Sequence, residues 1–169
     1  MAKLKPLDVL GKEEVRSLEE DVKERLLELA VSQTGIPRER WVIRDLLPSD
    51  LGLSTDEWKF DYTSANAYNT VIDTTVPDRK FIVIFGIAIL DPAPVATVIK
   101  FKEAADIKDV IEIEDLLVKR EPEGYLEEPI EYEQKDKVKI EIYATATKTG
   151  EKIVLKGYIA ELKGETITV

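Results

Sequence analysis

Carboxylates are the residues in this sequence that could do chemistry, because most other reactive groups are missing. The chain of 169 residues carries 34 acidic side chains and no histidine or cysteine. Without imidazole there is no common general base near neutral pH and no Ser-His-Asp arrangement. Without thiols there are no disulfides, thiolate metal sites or cysteine nucleophiles. None of the five serines (Ser17, Ser32, Ser49, Ser54, Ser64) begins an S-x-x-K motif, and no glycine pattern for cradling phosphate is present. Two carboxylates facing each other across a groove can cleave a glycoside, and Glu112, Glu114, Glu131 and Glu141 fall on expected strands. Strand alternation sends such charges to solvent by default, so the expectation is a protein that is not an enzyme.

The strongest compositional signal is acidic. Residues 103–136 hold thirteen acids against four bases, nine of the ten net negative charges of the chain. A solvated connection that keeps the protein soluble accounts for this, and so do two functional readings. Convergent carboxylates from several loops could bind Ca2+, although the spacing is not that of a twelve-residue EF-hand loop. Alternatively, the connection Glu121, Glu123, Glu127 and Glu128 could meet a basic partner surface. No other metal or cofactor is implied.

Sugar binding would need exposed aromatics to stack on, and Trp58, Tyr62, Tyr68, Tyr125, Tyr132, Tyr143 and Tyr158 are the candidates, against their use as packing groups in a sandwich. Direct nucleic-acid binding is not expected, because lysines and arginines are interspersed with acids and form no basic stripe. The Arg38, Arg40 and Arg44 cluster beside Trp41 resembles an amphipathic turn. The longest apolar run, Phe81 to Leu90, is about half a membrane span, and no apolar stretch follows the basic residues at the start, so neither a membrane nor a secretory signal is expected.

Two kinds of element must position these residues. Residues 12–31 contain no Gly or Pro and favour helix, with Val15, Leu18, Val22, Leu26 and Leu29 on one stripe. Pro37 can open a second short helix running to Leu47. From about residue 56 the period changes to two, with strands expected over 58–62, 70–76, 80–90, 95–102, 110–114, 130–133, 138–147, 152–162 and 166–169. Lys148-Thr-Gly150 reads as a hairpin turn. The run from Phe81 to Leu90 is apolar on both faces and so belongs in the centre. The division is a helical arm over 1–55 and a β-sandwich domain over 56–169. The fold class is mainly β: an antiparallel β-sandwich of jelly-roll type, about eight strands, with an N-terminal helical arm. The stripe needs a cover, either the β-domain of the same chain or other copies, and we expect it to serve association in a homo-oligomer.

The stretch from Tyr68 to Gly86, Ile99-Lys-Phe101, Pro129 to Tyr143 and Leu155-Lys-Gly-Tyr158 resemble the virion structural proteins of thermophilic phages and archaeal viruses, whose single jelly-roll domains build or decorate shells. The resemblance covers roughly residues 56–169 and leaves the arm unmatched. It implies a capsid, decoration or tail-associated structural protein, with copies of itself and other shell proteins as partners and the virion as its location, or the cytoplasm otherwise. No catalytic or binding residue defines that group, so none is carried over. The Lys- and Glu-rich composition, with one methionine, is similar to that of thermophile proteins. A sandwich module that binds carbohydrate or calcium is the alternative.

Overall fold

Period-two patterning makes most of the chain strand, and the strands stack as two antiparallel sheets. The computed structural model describes residues 4–114, 116 and 123–164, with residues 4–10 by backbone alone. In chain order the elements are β1 (Leu4–Pro6), α1 (Leu7–Thr34), β2 (Trp41–Asp45), β3 (Lys59–Tyr62), β4 (Ala67–Thr75), β5 (Phe81–Ile89), β6 (Ala96–Glu103), β7 (Asp106–Glu112), β8 (Glu123–Tyr132), β9 (Lys137–Ala144) and β10 (Lys148–Leu162). Gly11 interrupts α1 with φ of 72°, a left-handed conformation that glycine adopts without a Cβ clash, so regular helix begins where the Gly-free stretch begins.

A six-stranded sheet runs β1-β8-β5-β10-β2, with β3 also on β10, and a four-stranded sheet runs β4-β9-β6-β7. The strands pair as one long antiparallel ribbon: β3 with β10, β4 with β9, β5 with β8, and β6 with β7. Rolling that ribbon brings β10 onto β5 and β9 onto β6. This is the jelly-roll order expected from the sequence. Ile82, Ile84 and Ile87 of one sheet meet Ile99, Phe101, Ile140 and Ile142 of the other in the core. All nine residues of β5 are buried, because its inner side faces the second sheet and Phe81, Val83 and Phe85 lie under α1.

Three expectations are corrected. Residues 37–47 are not a helix: a short 3-10 turn, Arg38–Arg40, leads into β2, whose Trp41-Val-Ile run is β-prone and pairs with Leu162 to Ala160 of β10. With β1 on β8 as well, the sheet draws strands from both sides of the boundary expected at residue 56. Lys148-Thr-Gly150 is not a hairpin turn, since β9 and β10 belong to different sheets; Gly150 sits inside β10, where the pairing with β3 shifts register. Finally, β8 starts at Glu123, so much of the supposed acidic connection is strand. The strand expected over 166–169 lies outside the described residues.

Candidate functional site

The apolar stripe of α1 is covered by the sheet of its own chain. Val15, Val22 and Leu26 are buried with Ala30 against Trp41, Phe81 and Phe85, and Leu18 and Leu29 are half-buried on the same cluster. The expected association stripe is thus part of the core of a single chain. The reason is geometric: β5, β8 and β10 present aromatic side chains on an outer face that would otherwise meet water. Phe85 stacks between Tyr125, centroids 6.1 Å apart, and Tyr158, 5.1 Å apart. The Tyr158 hydroxyl donates to Glu19 (3.2 Å), and burial, followed by the charge of Glu19, pushes its pKa well up.

Glu123 joins the edge of this cluster. Its Oε2 accepts from the Tyr125 hydroxyl (2.9 Å) and from Lys156 Nζ (3.0 Å). Burial works against the charged form of Glu123, yet the bonds from Lys156 and Tyr125 outweigh it and hold the carboxyl below its ordinary range. Glu127 and Glu128 are exposed on β8, and Glu121 lies outside the described residues. Among the described residues no three carboxylates converge in a way that could hold a cation. The glycosidase pair does not form either. Glu141 extends from the outer face of the four-stranded sheet to Lys102 (2.7 Å), whereas Glu131 reaches Arg25 of α1 (3.2 Å) on the opposite side of the sandwich. Glu112 and Glu114 are exposed.

Two carboxylates that the sequence reading passed over are fully buried, and both are on β10. Glu151 Oε2 accepts from the Tyr62 hydroxyl (2.5 Å), and its Oε1 accepts from the Val95 amide (2.6 Å). Burial, followed by the bond to Glu151, drives the Tyr62 hydroxyl pKa far up, so it stays a donor. Near the other end of β10, Glu161 Oε1 accepts from Arg44 Nε (2.5 Å), while Lys80 Nζ lies 3.4 Å from Oε2. Arg44 also grips Asp50 with two bonds of 2.8 and 2.7 Å, and those bonds raise its already high pKa. Both networks tie β10 to neighbouring segments. A period-two count along β10 would have found them: Glu151 and Glu161 are in phase with Ile153, Leu155 and Ile159, which face the core.

Among the described residues no helix covers the outer face of the four-stranded sheet, and the strand register lays its residues out in rows. Tyr68, Tyr143, Val98 and Glu112 form one row, Thr70, Glu141, Lys100 and Val110 the next, and Asp73, Lys139, Lys102 and Ile107 the third. Tyr68 is 39% exposed and Ile107 56%; Val98, Val110 and Tyr143 are half-buried. Tyr68 and Tyr143 meet edge to face with centroids 5.2 Å apart, and Lys100 Nζ lies 3.9 Å from the Tyr68 ring centroid. Of the other aromatics weighed for stacking on sugar, Tyr62, Tyr125, Tyr132 and Tyr158 are buried, and Trp58 packs on the core. Among the described residues no helix is long and apolar enough to cross a membrane. Compared with known protein families and with curated proteins, the sequence matches none.

Proposed function

We propose that this chain is a structural module, without catalytic activity, whose copies assemble through the outer face of the four-stranded sheet. One observation carries the reading: the helix roofs one sheet, while the other presents Tyr68, Val98, Ile107, Val110 and Tyr143 at or near solvent. An aromatic and aliphatic surface interleaved with Lys100, Lys102, Lys139 and Glu141 suits a protein–protein contact, with apolar area supplying affinity and the charges setting register. The inward carboxylates hold the fold together, which fits a building block whose surfaces do its work. A particle shell, and a virion in particular, is the setting suggested by the sequence resemblance, with the same chain and other shell proteins as partners.

Sedimentation velocity with light scattering over a range of concentrations tests this. The wild type should form larger species as concentration rises. Tyr68→Asp with Ile107→Asp should return it to monomer at an unchanged melting temperature. A wild-type chain that stays monomeric at the highest concentration reached overturns the reading.

A further inference from the structure

A concavity of about 500 Å³ lies where β3, β4 and the chain just before β3 meet the start of β10. That volume is in the range of ligand clefts, roughly 300–1,000 Å³. Its polar lining consists of four hydroxyl side chains (Ser54, Thr55, Thr70 and Thr149), the carboxylate of Asp61 and the ammonium of Lys59. Leu53 and Val71 supply apolar wall.

Two strand irregularities, one from each sheet, frame this space. In β4 the pairing with β9 slips between Thr70 and Ile72, leaving Val71 as the extra residue. In β10 the pairing with β3 slips between Lys148 and Glu151, and Gly150 takes φ of 74°. Such bulges re-aim side chains and recur beside binding sites. Here the second is pinned from within the concavity, because the Gly150 amide donates to Asp61 Oδ1 (2.8 Å). A Cβ added at Gly150 would meet nothing within 4 Å, so it is the left-handed φ, and not crowding, that favours glycine there.

We propose that this concavity binds a neutral sugar. The lining selects that class. The Ser54, Thr70 and Thr149 hydroxyls can both donate and accept, and Thr55 accepts while its proton goes to the Glu57 carbonyl (2.9 Å). With the Asp61 carboxylate, which only accepts, they match a ring of vicinal hydroxyl groups. Leu53 and Val71 suit the C–H face of such a ring. An anion is disfavoured because Lys59 is already paired with Glu57 (2.5 Å) and Asp61 faces the same space. A divalent cation is disfavoured because Asp61 is the sole carboxylate among the lining residues. The site meets the exposed sheet face at Thr70, but neither Tyr68 nor Ile107 lines it, so Thr149→Trp tests it apart from assembly.

The test follows the methyl resonances of Thr55, Thr70, Val71 and Thr149 in the full chain while glucose, galactose, mannose and N-acetylglucosamine are each titrated in, with phosphate and Ca2+ as comparison probes. At least one sugar should shift these methyls saturably. Asp61→Asn should weaken that sugar about tenfold or more, since it removes a charged acceptor but can keep the bond to Gly150. Thr149→Trp, at an exposed position, should fill the space and abolish binding without changing the melting temperature or the scattering profile. No shift with any of the four sugars, or shifts that survive Thr149→Trp, would overturn the assignment. A response to phosphate or Ca2+ alone would do so equally, and none of these outcomes bears on assembly.

Discussion

At the scale of single residues, the decisive feature is how β10 keeps two carboxylates inside the sandwich. Removing a charge from water costs several kcal/mol, so a buried carboxylate persists only with a partner of excellent geometry. Arg44 is that partner for both Glu161 and Asp50, whose side chains are 0% and 1% exposed. Arg44→Ala should therefore lower the unfolding free energy by about 3–5 kcal/mol in urea titrations, since it strands Asp50 and leaves Glu161 with Lys80 at 3.4 Å. The double variant Arg44→Met with Glu161→Leu should cost less than Arg44→Ala, since it removes the Glu161 charge and adds apolar contact; an equal or larger loss would refute the account. A second prediction concerns acid. The Glu123 and Glu141 carboxyls are held below their ordinary range, Glu141 chiefly by Lys102, and Glu123 by Lys156 and Tyr125 against the effect of burial. A depressed carboxylate contributes stability above its unfolded-state pKa and loses it as pH falls through the folded-state value. Stability should thus be level down to about pH 4.3 and decline below it, and Glu123→Gln should flatten the decline.

At the scale of elements, α1 and β5 account for each other. A helix with a continuous apolar stripe and a strand apolar on both faces are each unstable alone in water, and one covers the other. Leu26 lies at the centre of this contact with no exposed surface. Leu26→Ala should cost about 2–5 kcal/mol, from lost burial plus the cavity left behind. The loss, followed by thermal unfolding at several protein concentrations, should be independent of concentration, because the contact is within one chain. If it appears only at concentrations where copies associate, the stripe serves a neighbour instead.

For the whole molecule, charge and shape act against each other. A net charge of −10 repels copies from one another, whereas on the proposed reading the sheet face with exposed Tyr68 and Ile107 would draw them together. Salt screens the first effect and spares the second: the Debye length falls from about 10 Å at 0.1 M to about 3 Å at 1 M. Association measured by sedimentation should strengthen as salt is raised over that range. Weakening would show that charge pairing, and not apolar contact, holds copies together.

Much of the architecture was legible in the residues, because burial on one side of a strand or helix writes its period into the chain. Strands β3, β4, β5, β6, β9 and β10 were expected at nearly their observed positions, and so was the body of α1, whereas β7, expected over 110–114, runs from Asp106 to Glu112. The jelly-roll class was expected from many short strands without helices between them. Pairing was less legible. Whether Trp41-Val-Ile ends a helix or joins a sheet depends on β10, more than a hundred residues away, and the same holds for Gly150, which suits a turn or a bulge equally by its own preference. The acid-rich start of β8 read as a connection because its carboxylates conceal Gly124, Tyr125 and Leu126, which are buried. Periodicity is a local property of the chain and so is recorded in the sequence itself; what the α1 stripe covers, which carboxylates are enclosed and which sheet face stays open depend on surfaces brought together by folding, and only the tertiary structure decided them.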